Sequence, residues 1–295
     1  MIVRLRSVVN DTQRASPALK DYMLQVLLGT CERWVRSQAV DQMTHRVACI
    51  QMGALGTWQE NIDHAVALSD ETDADLIVLP ELFAHCRDFK AGEHIPGRTT
   101  EIFAQLAREK GSYILMGSIL EVDEYDRRYN SSVLIDRSGQ ILARYRKIHL
   151  FSYRSKERRS LVAGTDVVTA PTELGVIGLS ICYDLRFPEL YRALVKKGAE
   201  MIICPAAWPY PRIDHWITLN MARAIEEQCY FVGCNQIGAP APTTTFVGRS
   251  MITDPWGEVI AAAGAAETII EAVIDVALVR KIREEYAFLN DIVEI

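Results

Sequence analysis

The sequence predicts an α/β fold with a mixed β-sheet, and three observations carry that expectation. From residue 46 onward, short β-branched runs alternate with amphipathic helical patterns, as in residues 47–52, 57–71 and 76–79. In the middle of the chain, strand patterns follow one another directly. Two of them are joined by the tight turn Arg137, Ser138, Gly139, which makes those strands antiparallel. No stretch of the 295 residues is rich enough in Pro, Gly and Ser to read as a linker, so a single large core is expected.

Residues 1–42 stand outside this rhythm. Ser16 followed by Pro17 is a helix start, and Leu19, Met23, Val26, Leu27 and Trp34 recur at helical spacing, which makes an amphipathic helix. The other reading is a natural start at Met43, three residues before the first core strand. The domain is therefore placed at residues 43–295, with 1–42 as a helical extension. Thr57 and Glu60 form a capping box at the head of the first core helix. A second helix follows Thr99 or Thr100 and ends near Gly111. Strands are expected over 113–121, 132–136, 140–147 and 176–181. Pro188 opens a helix over 188–197, and a strand at 201–204, a helix at 213–228 and a strand at 230–235 follow. Strands near 247–253, 258–262 and 268–275, the first two joined by the turn Asp254, Pro255, Trp256, Gly257, lead to a terminal helix.

Composition narrows the partners. A net charge of −6 and scattered Lys and Arg, apart from the run Lys156 to Arg159, disfavour nucleic acid. No apolar run approaches the roughly 20 residues needed to cross a bilayer, and Arg4 and Arg6 interrupt the first segment, so neither a membrane helix nor a signal peptide is read. Seven cysteines without a CxxC pair point to free thiols and a reducing cytoplasm. The six histidines show no ligand spacing, so no metal and no other cofactor is expected.

Three segments each place a reactive side chain at a strand end: Leu79-Pro80-Glu81, then Tyr145-Arg146-Lys147-Ile148-His149-Leu150, then Ile181-Cys182-Tyr183-Asp184-Leu185-Arg186-Phe187-Pro188-Glu189. Taken singly, each has a bland alternative: a surface Glu, a solvated Lys, a small core Cys. Together and in this order they resemble the carbon-nitrogen hydrolase family, or nitrilase superfamily. The resemblance extends over nearly all of residues 46–290. It also takes in residues 47–52, Tyr129 to Ser132, residues 144–151, His215 with Trp216, Arg223 to Glu226 and Asp254 to Glu258. It implies a four-layer α-β-β-α sandwich that dimerises, and a Glu81, Lys147, Cys182 triad. It also implies a second glutamate, for which Glu157 is the candidate beside the alternative of a loop residue balancing basic neighbours.

The chemistry asks for these residue types on its own account. An amide is a poor electrophile with a poor leaving group, so acyl transfer to sulfur and then to water divides one high barrier into two lower ones. A thiol with a pKa of about 8.5 needs a base or cation beside it. Glu81 fits the base, and Lys147 with the Tyr183 N–H fits the oxyanion. His149 and His215 read as structural, or pocket-lining for His215. The block after Cys182 resembles the ω-amidase and deaminated-glutathione amidase branch, whose substrates join a terminal amide to a 2-oxo acid. Arg186 would bind the carboxylate bidentately, or else pair with Asp184, Glu189 or another acid. Trp208 and Phe83 are candidate pocket walls. The chain departs from the ω-amidase pattern in a short stretch between Lys147 and Glu157 and in Pro209-Tyr210-Pro211-Arg212. The expected activity is hydrolysis of a small carboxylate-bearing amide by water. The alternatives are an N-carbamoyl amine or amino acid hydrolase and a catalytically silent binding protein of the same fold.

Overall fold

The structure, a computed structural model, describes residues 44–85, 88–153 and 155–293. The helix expected within 1–42, the Met43 start, Cys31 and Cys86 lie outside the described residues. In chain order the elements of the first half are β1 (Thr44–Gln51), α1 (Trp58–Asp70), β2 (Leu76–Val78), α2 (Arg98–Lys110), β3 (Tyr113–Leu115), β4 (Ile119–Val122), β5 (Arg128–Ile135), β6 (Ile141–Arg146) and the one-turn α3 (Glu157–Ser160). The second half holds β7 (Thr169–Thr172), β8 (Gly175–Leu179), the 3-10 turn Cys182–Arg186, α4 (Pro188–Lys196), β9 (Met201–Ala206), α5 (Ile213–Glu227) and β10 (Tyr230–Asn235). The hairpin β11 (Ile237–Ala241) and β12 (Thr244–Val247), then β13 (Met251–Thr253), β14 (Val259–Ala262), β15 (Thr268–Asp275) and α6 (Val276–Glu285) complete it.

Two mixed sheets result. The first runs β15-β1-β2-β3-β5-β4 with β6 on the free side of β5, and the second runs β14-β13-β10-β9-β8-β7. Each has three parallel strands at its centre, β1-β2-β3 and β10-β9-β8, with antiparallel strands outside them. β15 pairs with the whole of β1, Thr44 opposite Asp275 and Gln51 opposite Thr268, so the last strand closes the sheet that the first one opened.

Alternation along the strands makes the layers. Val47, Cys49, Leu76, Val78, Tyr113 and Leu115 enter one core with Ile177, Leu179, Met201 and Ile203 of the second sheet. Ala48, Ile50, Ile77 and Ile114 point the other way, onto Ile62 and Ala65 of α1 and Phe103, Leu106 and Ala107 of α2. Both faces are covered, which is why these strands read as continuous apolar runs. On the far side of the second sheet, Leu190, Tyr191 and Leu194 of α4 and Trp216 and Ala224 of α5 complete the packing. The stack is the expected α-β-β-α sandwich. No helix among the described residues is long and apolar enough to cross a membrane.

The helices begin and end where local chemistry puts them. Thr57 and Glu60 form the capping box of α1, and Gly111 closes α2 in the left-handed conformation. Two expected strands are divided in the structure. The run 113–121 breaks at Gly117, whose φ of +47° ends β3, and 247–253 breaks at Gly248 and Arg249, both left-handed. β7 and the β11-β12 hairpin carry no clear alternation and were not expected. Five described cysteines, Cys49, Cys182, Cys204, Cys229 and Cys234, are free and buried.

Gly117 also sets the approach to residue 81. A Cβ at this position would lie 2.0 Å from the Pro80 carbonyl oxygen and 2.5 Å from that of Leu79. Gly117→Ala is expected to cost about 3 kcal/mol in denaturant unfolding, through the clash and the positive φ together. An unchanged midpoint would mean that the Leu79-Pro80 backbone has room to move.

Candidate active site

Strand ends of both sheets converge on one point. β2 leads through Leu79 and Pro80 to Glu81, β6 stops immediately before Lys147, β8 stops three residues short of Cys182, and β9 delivers the backbone of Ala207. Glu81, Lys147 and Glu157 are 3%, 1% and 4% exposed, so their charges must satisfy one another rather than water. Lys147 Nζ donates to Glu81 Oε1 at 2.7 Å and to Glu157 Oε1 at 2.8 Å. Asn130, on β5, spans the same two carboxylates, its Nδ2 lying 2.9 Å from Glu81 Oε1 and 3.4 Å from Glu157 Oε1. The Ala207 N–H donates to Glu81 Oε2 at 2.8 Å. The Phe151 N–H reaches Glu157 Oε2 at 3.3 Å. The Cys182 thiol completes the set, within hydrogen-bonding reach of the Glu81 carboxylate.

Cys182 opens its 3-10 turn with a φ of +48°, a conformation that costs a non-glycine residue about 1–2 kcal/mol. Asp184 holds that turn. Its Oδ2 accepts the Ile181 N–H at 2.9 Å and the Tyr145 hydroxyl at 2.7 Å. Its Oδ1 accepts the His149 N–H at 2.9 Å and the His149 ring Nδ1 at 2.7 Å. One fully buried carboxylate thus ties the nucleophile's turn to the segment that carries Lys147. Burial and the Asp184 charge push the Tyr145 phenol well above its ordinary value, so it stays a donor. His149 stacks flat on Phe187, 3.8 Å between ring centroids, in the structural role expected of it.

The triad opens onto a cavity of about 480 Å³, its mouth included, walled by Leu82, Phe151, Tyr183, Trp208 and Pro209 and by Arg186 and Arg212. The carbon-nitrogen hydrolase family model matches residues 41–284. The chain belongs to that family. It is 37% identical over 259 residues to the 2-oxoglutaramate amidase of Bacillus subtilis, covering 85% of this chain and 98% of that one. With the omega-amidase NIT2 of Xenopus tropicalis the identity is 34%, over 81% and 92%. The crystal structure of Saccharomyces cerevisiae Nit3, a member of branch 10 of the nitrilase superfamily, superposes with a TM-score of 0.75 at 29% identity, covering 83% of this chain and 94% of that one.

In this carbon-nitrogen hydrolase the structure brings Glu81, Lys147, Cys182 and Glu157 together, and Tyr183, Arg186 and Trp208 line the cavity beside them. Phe83 is a correction. It is fully buried in the outer core, edge-on to Phe103 at 5.4 Å, because the left-handed Leu82 (φ +52°) turns the chain and gives Leu82 the pocket wall. Arg186 forms no ion pair with Asp184, whose oxygens are already taken. It lies 4.8 Å over Trp208 and contacts His215 Nδ1 at 3.1 Å. Sequence reasoning missed Asn130, Asp184, Ala207 and Arg212 as parts of the site. The available signal for Asn130 was a polar residue in the middle of a buried strand. Backbone N–H groups such as that of Ala207 leave no signal.

Burial would raise the Glu81 carboxyl, but the Lys147 charge and the hydrogen bonds from Cys182, Lys147 and Ala207 outweigh it and hold Glu81 below its ordinary range. Burial would lower Lys147, and the charges of Glu157 and Glu81 reverse that, leaving it well above its ordinary value. Burial and the Glu81 charge push the Cys182 thiol well up, with Lys147 offsetting only part. At rest, then, the site holds an ionised glutamate, an ammonium and a neutral thiol.

These directions fix the pH dependence of stability. Glu81, depressed on folding, contributes above the unfolded glutamate value of about 4.3, and that contribution is lost as pH falls through its folded value. Lys147, raised on folding, contributes below about 10.4 and is lost as pH rises through its folded value. Lys147→Met should cost about 3–5 kcal/mol near neutrality, because it leaves buried carboxylate charge uncompensated. It should also invert the acid limb, with thermal stability rising as pH is lowered from about 7 to 5 and Glu81 takes up a proton. A variant that loses stability on acidification as the wild type does would contradict the assigned coupling.

Proposed function

We propose that the chain hydrolyses the terminal amide of a small 2-oxo dicarboxylic acid monoamide, such as 2-oxoglutaramate, releasing ammonia and the free acid. The observation that carries the chemistry is Lys147 shared by hydrogen bonds between Glu81 and Glu157, with the Cys182 thiol beside the Glu81 carboxylate. Glu81 takes the thiol proton as sulfur attacks the amide carbon, so the high thiol pKa is met by proton transfer within the step. Of the three ammonium N–H groups of Lys147, two are given to Glu81 and Glu157. The third, with the Tyr183 N–H, takes the developing oxyanion. Collapse of the intermediate breaks the C–N bond, with Glu81 returning its proton to the departing ammonia. Glu81 then deprotonates the water that cleaves the thioester and passes that proton to the departing Cys182 sulfur, restoring the resting site. Glu157 and Asn130 keep Lys147 and Glu81 in this alignment.

Arg186 supports the anionic substrate. It lines the cavity with its guanidinium 4.8 Å over the Trp208 ring, and no carboxylate pairs with it among the described residues. The name of the Bacillus subtilis relative supports the 2-oxo amide, and that of the Xenopus tropicalis relative an omega-amide. We assign the activity to residues 43–295, with 1–42 as an extension, and place the enzyme in the cytoplasm as a homodimer or higher homo-oligomer on its free thiols and family membership.

Cys182→Ala should abolish ammonia release while leaving the fold intact. Mass spectrometry of an acid-quenched turnover mixture should find the acyl group on the peptide carrying Cys182. An adduct on Cys204 or any other thiol would contradict the assignment, and carbon dioxide released alongside ammonia would mark a carbamoyl hydrolase.

A further inference from the structure

Arg186 and Arg212 both line the cavity that Cys182 lines, their guanidiniums 4.8 Å from the Trp208 ring and 5.7 Å from the Phe151 ring of its wall, and no carboxylate pairs with either among the described residues. The acids of the cavity, Glu81 and Glu157, are turned to Lys147 and Asn130. Positive charge is therefore left over at the two arginines. Arg212 is placed against electrostatic preference, since it is the N-cap of α5, where the helix dipole already presents its positive end. Asp214, in the first turn of that helix, is exposed and forms no ion pair with it. Burial depresses the Arg186 guanidinium, and the nearby Arg212 charge acts in the same direction. Like charges brought together in a half-buried site store free energy that a bound anion recovers.

The backbone of Arg212 is fixed for this task. Its N–H reaches the Pro209 carbonyl at 3.3 Å, and its own carbonyl accepts from Trp208 Nε1 at 2.8 Å and from the Trp216 N–H at 3.1 Å. The guanidinium lies 5.7 Å from the Phe151 ring centre and makes no side-chain hydrogen bond among the described residues. Its donors are thus uncommitted, whereas Arg186 already shares one with His215.

We infer that Arg212 completes, with Arg186, a receptor that selects a carboxylate flanked by a neutral acceptor and excludes one flanked by an ammonium. The inference rests on the 2-oxo amide reading above and assigns the choice at carbon 2 to a residue. A carboxylate with an adjacent keto oxygen offers acceptors to both guanidiniums. The 2-amino analogue sets an ammonium against two cations with no free acid to receive it, which is selection by repulsion.

Steady-state kinetics of the full chain on 2-oxoglutaramate and on glutamine, which differ only at carbon 2, test it in the wild type, Arg212→Gln and Arg212→Lys. Arg212→Gln should raise KM for the 2-oxo amide roughly 10- to 100-fold, the worth of a lost charge-assisted contact, with a smaller change in kcat. The kcat/KM preference for the 2-oxo over the 2-amino substrate should fall by about tenfold or more. Arg212→Lys, which keeps the charge but loses the planar fork, should fall between the two. A preference unchanged in both variants, whether or not overall activity drops, would overturn the inference and make Arg212 a structural residue. A wild type that turns over other amides but not the 2-oxo amide would overturn the substrate reading and this inference with it.

Discussion

The site depends on one ammonium group shared by two buried carboxylates. Lys147 Nζ lies 2.7 Å from Glu81 and 2.8 Å from Glu157, in surroundings that exclude water almost entirely. Glu81 alone in such a place would take up a proton, and a lone lysine would give one up. Together they remain charged, and the base that Cys182 needs is ionised before substrate arrives. Sulfur need not be a thiolate in waiting, because the proton has a destination within hydrogen-bonding reach.

The sandwich exists, as far as chemistry is concerned, to hold those groups still. Glu81 and Lys147 come from the first sheet, while Cys182 and the Ala207 N–H come from the second, so the site forms only when the two sheets pack. Asp184 and Asn130 fix the remaining freedom. Asp184 joins the strained cysteine turn to the lysine segment, and Asn130 keeps the two carboxylates at one spacing. Gly117 permits the close approach of the Leu79-Pro80 backbone from which Glu81 projects. The cavity is lined both by the paired charges of Lys147, Glu81 and Glu157 and by the guanidinium-bearing residues Arg186 and Arg212, which no carboxylate pairs among the described residues. That combination fits a substrate with an amide at one end and an acid at the other.

Much of this was legible in the sequence. Buried strands announced themselves as β-branched runs, and Thr57, Gly111 and Pro188 marked helix ends by chemistry that acts within one turn. Glu81, Lys147 and Cys182 could be found because their three segments, taken together and in order, resemble those of the carbon-nitrogen hydrolase family. What was not legible depends on distant parts of the chain or on backbone geometry. Phe83 sits two residues beyond Glu81 and looked like a pocket wall, until the positive φ of Leu82 turned it into the core. Asp184 looked like a partner for Arg186, but its oxygens answer donors at 145, 149 and 181. Arg212 stood out only as a departure from the family pattern, and its meaning comes from the cavity it shares with Arg186. The division of residues 113–121 into two strands depends on Gly117 meeting Pro80, a contact that no local pattern reveals.

The central claim is that the Lys147-bridged carboxylates leave Glu81 ionised and Cys182 protonated in the resting enzyme. The thiolate ultraviolet absorbance of the wild type, with that of a Cys182→Ser variant subtracted at each pH, isolates the nucleophile's ionisation and tests the claim directly. The account predicts no thiolate signal from Cys182 between about pH 5 and 8, with ionisation only above the ordinary thiol value of about 8.5. A titration step from Cys182 at or below about pH 7, as in a thiolate held by a neighbouring cation, would contradict it.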